Sequence, residues 1–168
     1  MTHRKIFRLV CCVILSAVTL AGCLSSSLDE EYDLYEGTIS QPNPGKRTLS
    51  ANSVSFKLWF NTGQVEGSGK VIILETAQMA GDITYTETFN LKFTGTYDQK
   101  TKMLNGLVAI TGGMVCSSNC ALASNTTYDH SSYWQAKLES GRIVNGMISA
   151  YPDFKVAYFN FEAGYNKE

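Results

Sequence analysis

Between residues 83 and 94 the chain alternates without a break: Ile83, Tyr85, Glu87, Phe89, Leu91 and Phe93 share one parity, and Thr84, Thr86, Thr88, Asn90, Lys92 and Thr94 share the other. A period of two held that long places one side of an extended strand in a core and the other in solvent. Val54, Phe56, Leu58 and Phe60 repeat the pattern against Ser53, Ser55, Lys57 and Trp59. No window carries an apolar stripe at helical spacing, so the chain reads as all-β, built of antiparallel strands that are each half buried. Glu87 breaks the pattern, because it stands on the apolar parity between Tyr85 and Phe89. Facing inward it must be paired or protonated, and in a barrel lumen it becomes a ligand contact. The plainer expectation is that a local twist or bulge turns it to solvent.

The chain also repeats itself. An aromatic or apolar residue is followed by a polar cluster, two apolar-type positions and a glycine: Phe60 to Gly67, Tyr97 to Gly106 and Leu138 to Gly146, with the glycines 39 and 40 residues apart. Each copy reads as a hairpin whose turn is the polar cluster and whose glycine lies inside the returning strand. Placing the turn at Asn105-Gly106 or Asn145-Gly146 instead leaves strands too short to pair. A glycine inside a strand marks a bulge, a bend or a close approach, and with this many aromatics a ring across each glycine is the expected cause. Strands are predicted near 53–61, 64–76, 83–97, 102–112, 131–139, 142–151 and 154–162, with an eighth in the 114–125 loop as a further option. Seven or eight strands on short turns form an up-and-down meander, which a small closed barrel frees of exposed edges. A two-sheet sandwich is the alternative.

Ahead of this domain, residues 1–22 combine a basic head (Arg4, Lys5, Arg8), an apolar run over 9–20 and small residues before Cys23. That is the pattern of a signal peptide, and the run is too short to span a bilayer as a helix. Leu20-Ala21-Gly22-Cys23 resembles the lipobox of bacterial lipoproteins. The resemblance implies that Cys23 is acylated and becomes the first residue of the exported chain, held to the membrane by its lipid. In Gram-negative lipoproteins an aspartate after that cysteine signals retention in the inner membrane; Leu24 in its place implies the outer membrane. Within the domain, the phrase from Phe60 to Gly67 resembles strand-turn phrases in the barrel domains of surface lipoproteins of the transferrin-binding and factor H-binding kinds. The likeness covers one hairpin, and no functional residue is carried over from it.

With Cys11 and Cys12 in the signal peptide and Cys23 lipidated, Cys116 and Cys120 remain of five cysteines. An even residual count in an exported domain reads as a disulfide, one that would stabilise by roughly 2 kcal/mol and pin the 114–125 loop. A zinc site is the rival. Cys116 and Cys120 supply half of a tetrahedron, and His130 with Asp129 would have to complete it. A redox pair would more usually be spaced Cys-x-x-Cys beside a βαβ pattern, which is missing here. Neither a metal nor a cofactor is expected.

Residues 23–51 read as a lipidated cysteine and a solvated tether, with three serines, the acidic stretch 29–33 and a Pro-Asn-Pro-Gly run; in a sharper version Tyr32, Leu34 and Tyr35 dock on the domain or a partner. The β domain would then occupy 52–168. From Cys23 onward 11 basic residues face 15 acidic ones. That balance gives no electrostatic reason to seek nucleic acid.

Asp129-His130-Ser131-Ser132 contains the residue types of a catalytic triad, but adjacent residues on a strand point to opposite faces. It is expected to be a polar turn leading into Tyr133 and Trp134. Glu75, Asp82, Glu87 and Asp153 are too scattered to define a carboxylate pair, and Gly69-Lys70 lacks both a phosphate-loop pattern and a following helix. The aromatic residues mostly build the core. Phe159 and Phe161 oppose Phe154, Val156 and Tyr158, which makes the last strand apolar on both sides and a candidate interaction surface. The expected function is therefore a non-enzymatic, lipid-anchored binding or assembly module of the cell envelope that meets a protein partner. Glu87, Trp59, Trp134, His130 and Phe161 are its candidate contacts. The alternatives are a carrier of a small apolar or aromatic ligand in a barrel lumen and an inhibitor or immunity-type lipoprotein.

Overall fold

Three tight turns organise the molecule. Ser140 and Gly141 connect adjacent strands with φ of 50° and 73°, the left-handed pair that a two-residue type I′ hairpin requires. The other two turns, over 60–63 and 99–102, end in Gly63 and Lys102, again with positive φ. Neighbouring turns are stitched together: Tyr97 N donates to Gly63 O, Leu138 N to Lys102 O, and Gln99 Nε2 to Phe60 O.

The computed structural model describes residues 31–42, 47–77, 83–118 and 125–167. They form eight antiparallel strands: β1 (Asp33–Ser40), β2 (Arg47–Trp59), β3 (Gln64–Ala77), β4 (Ile83–Asp98), β5 (Met103–Ser118), β6 (Thr126–Glu139), β7 (Arg142–Ser149) and β8 (Ala157–Tyr165). Each pairs with the next, and β1 pairs with β8, closing the meander into a barrel. The closed barrel, rather than the sandwich, is the architecture. The tight turns β2–β3, β4–β5 and β6–β7 lie at one end, together with the start of β1 and the end of β8. The connections after β1, β3, β5 and β7 lie at the other, the loop end.

Several boundaries differ from the sequence reading, among them the 114–125 loop, whose residues Met114 to Ser118 continue β5. The supposed tether contains β1 and the first residues of β2, so the barrel begins at Asp33. Tyr35 and Ile39 are buried core residues, and Gly37 lets β1 close against β8, since a Cβ there would meet Glu162 O at 1.8 Å. Likewise the Asp129–Ser132 stretch is not a turn but part of β6, paired with β5 from Thr111 to Val108.

Eight strands enclose a lumen just wide enough for side chains to fill it, and here rings do so. Phe56, Phe93, Trp134 and Phe161 pack on one another across the barrel, with every pair of centroids between 4.9 and 6.2 Å apart. The repeat glycines admit these rings. A Cβ on Gly67 would sit 2.6 Å from Phe56 Cδ1, and one on Gly146 would sit 2.4 Å from Phe161 Cδ2. At Gly106 the closest neighbours are instead the backbone of Thr94 and Gly95, and the Trp134 ring lies against Gly95. Trp134 Nε1, fully buried, donates to the carbonyls of Thr94 and Leu107 at 3.1 Å each, so its one polar atom is satisfied.

Candidate functional site

Toward the loop end the interior changes character. Glu87 keeps the inward parity of β4 and is 6% exposed, so no twist or bulge turns it outward. Its neighbours come from several strands. Ile73 on β3 and Met114 on β5 stand opposite it in register. Tyr128 on β6 donates its hydroxyl to Glu87 Oε1 at 3.1 Å. Arg47 on β2 approaches Glu87 Oε2 with Nη1 at 3.7 Å, while its Nε holds Glu75 Oε2 at 2.9 Å.

Arg47 reaches this position because the β2–β3 register slips between Leu49 and Ala51. In the turn-proximal part of β2 the even residues Val54, Phe56 and Leu58 are buried. Past the slip Leu49 faces Ile73 and Arg47 faces Glu75. A β-bulge at Ser50 thus reverses the parity and re-aims the guanidinium into the lumen. The alternation of β2 carries no sign of it, and Arg47 was absent from the sequence-derived contacts for that reason.

These groups line a cavity of about 250 Å³ at the loop end, bounded by Gln41, Arg47, Ile73, Glu87, Phe89, Ile110, Tyr128, His130, Tyr158 and Phe159. Phe89 stacks on Tyr128 with centroids 5.2 Å apart and rings 5° from parallel, and Phe159 meets Phe89 edge-on. Loss of hydration raises the Tyr128 hydroxyl above its ordinary pKa; the Glu87 charge and the hydrogen bond to it act in the same direction, and the Arg47 charge partly opposes them. The site is therefore a carboxylate pair sharing one guanidinium, faced by a neutral phenol and aromatic walls.

The other sequence-derived contacts fall elsewhere. His130 shares the inward parity of Tyr128 and lines the same cavity. Asp129 and Ser131 stand on the opposite parity of β6, whereas Ser132 is buried deeper in the lumen, so these residues do not converge as a triad. Trp134 and Phe161 are not surface contacts but members of the buried ring plug. The last strand is apolar on both sides for two separate reasons: Phe159 and Phe161 fill the lumen, and Tyr158 and Val156 are exposed at the loop end. Trp59 lies on the outer wall of the turn end, 5.4 Å from Tyr32, whose ring also receives Lys57 Nζ at 4.4 Å. Cys116 faces Tyr85 near the end of β5; Cys23, Asp82 and Cys120 lie outside the described residues. Among the described residues no group of three or more His, Cys, Asp or Glu side chains is arranged to hold a metal ion.

One further surface was not anticipated as a unit. The β7–β8 connection is tied internally: Ser149 Oγ donates to Val156 O at 2.7 Å and accepts from Tyr151 N, and Phe154 N donates to Tyr151 O. This fixes the backbone of Tyr151 and Val156, both well exposed, in the connection that leads to exposed Tyr158 at the cavity. Compared with protein-family models, with curated proteins and with solved structures, the chain matches none. Its class is accordingly defined by its own geometry: a small up-and-down barrel, solid at the turn end, with a charged concavity at the loop end.

Proposed function

We propose that the chain is an exported lipoprotein, acylated at Cys23 and anchored in the outer membrane, whose barrel is a non-enzymatic binding or assembly module engaging a protein of the envelope. The observation that carries this reading is the contrast between the two ends. Rings fill the barrel toward the turns, while the loop end combines a charged concavity, bounded in part by exposed Tyr158, with exposed Tyr151 and Val156 on the β7–β8 connection. Exposed apolar side chains at the same end as a polar recess are the composition of a protein-docking surface rather than of an inert wall. The Cys116–Cys120 staple would constrain the β5–β6 connection at this same end.

Topology supports a tether at the turn end. Asp33 opens β1 at the turn end, opposite Leu58, so the segment between Cys23 and the barrel is short, spanning at most about 30 Å. A lipid on Cys23 would tether the barrel through the strand end at which β1 begins. Tyr32, packed on Trp59, would fix the point of entry.

A carrier role is the second reading, favoured by buried Glu87 in a cavity of about 250 Å³. With the rest of the lumen filled, the cargo would be a molecule of roughly ten heavy atoms, at or just below the lower end of usual ligand pockets. The test of the leading reading is capture from envelope extract with the detergent-solubilised lipoprotein and its Tyr151→Ser, Val156→Ser form. A partner recovered by the first and lost by the second, with identical circular dichroism, supports docking at the loop end. Equal recovery by both proteins would refute it.

A further inference from the structure

The cavity at the loop end offers more acceptors than the described residues satisfy. Glu87 is more than nine-tenths buried, and although Oε1 takes the Tyr128 hydroxyl, Oε2 is shut off from solvent and accepts no hydrogen bond from the described residues. Gln41 Oε1, lining the same cavity, is likewise buried without a donor among those residues. Arg47 does not meet this demand, because its Nε is committed to Glu75 at 2.9 Å and its Nη1 stays 3.7 Å from Glu87. Two carboxylates thus share one cation, and the shortfall is one positive charge and at least two hydrogen-bond donors.

The shape of the shortfall selects among cations. A guanidinium binds a carboxylate best through both oxygens at once, and Oε1 is already occupied by Tyr128. An ammonium is a compact charge whose donors point in three directions, which suits single oxygens contributed by two different residues. Phe89, Ile110 and Phe159 give the cavity apolar walls, suited to a methylene chain carrying the charge, and ring faces add attraction for a cation.

We propose that the loop-end cavity is a recognition site for an alkylammonium group, its nitrogen donating to Glu87 Oε2 and Gln41 Oε1 and its methylenes lying along Phe89 and Phe159. The group is either a free primary amine or a lysine side chain. In the second case the site deepens the binding-module reading and rests on it; in the first it stands alone.

The test is a titration of residues 24–168, which contain the whole closed barrel, followed by amide chemical shifts. The probes are n-butylammonium, an end-blocked lysyl tripeptide, the same tripeptide acetylated on its side chain, and butyrate. Saturable shifts centred on Glu87, Phe89 and Tyr128 are expected with the two amines and not with the acetylated peptide or butyrate. Glu87→Gln should weaken amine binding about tenfold or more. Arg47→Gln should tighten it several-fold by removing the competing cation, an effect that loss of structure would not produce. A lysyl tripeptide that binds far better than butylammonium identifies a partner's side chain as the source, and equal binding identifies the free amine. Absence of saturation by either amine, undiminished binding to Glu87→Gln, or preferential binding of butyrate would each overturn the proposal. Failure of partner capture with amine binding intact removes the docking reading alone.

Discussion

Replacing Tyr128 with phenylalanine removes one atom from the site and leaves its packing in place, because the ring that stacks on Phe89 is retained. The lost hydroxyl donates to Glu87 Oε1 at 3.1 Å, and Glu87 is ion-paired through its other oxygen with Arg47. A hydrogen bond to a charged acceptor contributes about 1.5–3 kcal/mol, against about 0.5–1.5 for a neutral one. Three features of the site argue for the lower part of the charged range. The contact is long for a hydroxyl facing a carboxylate, Tyr128 is only partly buried, and the cavity admits solvent to its rim. Tyr128→Phe should therefore cost about 1.5 kcal/mol, a fall in Tm of about 5 °C for a barrel of this size. In a Glu87→Gln background the same substitution breaks a neutral bond and should cost only about 0.5 kcal/mol. The coupling between the two positions is then about 1 kcal/mol, measurable in a double-mutant cycle by urea unfolding followed by circular dichroism. An equal cost of Tyr128→Phe in both backgrounds would refute the claim that the phenol serves the Glu87 charge.

Gly146→Ala must displace either the Phe161 ring or the β8 backbone, with Cδ2 and the carbonyl oxygen 2.4 and 2.5 Å from the new methyl; destabilisation by about 1–3 kcal/mol should show in chemical denaturation. Ser140→Asn converts the turn dipeptide to Asn-Gly, relieving a serine held at φ 50°, and should raise stability by about 0.5 kcal/mol with the thermal midpoint as readout. Burial pushes the Tyr35 hydroxyl from 10.0 up to about 12, helped by the charges of Asp33, Tyr165 and Tyr97. The folded state thus holds that proton more tightly than the unfolded chain, so the associated stability is complete below pH 10 and lost as pH rises toward about 12. Tyr35→Phe should flatten this alkaline slope in urea midpoints taken across the range. Trp134→Ala should cost about 3–5 kcal/mol because it empties part of the ring plug, and it should lower partner capture only in proportion to the unfolded fraction.

What the sequence reveals about this barrel follows the polarity of its lumen. Where the interior is apolar, alternation reads true: β4 runs as its parity indicates from Ile83 to Tyr97, and the glycine repeat marks the hairpins at the turn end. Gly67 and Gly146 meet the rings that the aromatic content suggested. Where the interior is polar, the same method fails. The Asp129–Ser132 stretch looks like a polar turn because its inward side chains, His130 at the cavity and buried Ser132, are not apolar. β1 offers Tyr35 and Ile39 as its buried apolar residues, with Gly37 between them, so it reads as linker although closure of the barrel demands that glycine. Arg47 is invisible for a different reason, since a bulge reverses parity without leaving a compositional mark. Of the contacts drawn from the sequence, Glu87, a charge on an apolar face, and His130 line this cavity.

The distribution of these exceptions bears on function. A chain that merely needed a stable barrel would do better with a leucine at 87, because a buried ion pair rarely exceeds the stability of well-packed apolar side chains of similar volume. It would also have no need of the Ser50 bulge, which leaves a residue unpaired in β2. Both departures converge on one cavity, and both stand at the end where Tyr151 and Val156 are held exposed by the bonds of Ser149. The turn end has departures of its own, in the positive φ of Lys102, Ser140 and Asn145 and in the glycines where rings must pass, but none of them buries a charge. A buried charge and a bulge meeting in one cavity, against stability, support the proposed site. The solid ring plug explains how the barrel tolerates it: Phe56, Phe93, Trp134 and Phe161 tie β2, β4, β6 and β8 together on the turn side of the cavity, so the loop end can keep an incompletely paired carboxylate poised for a cation.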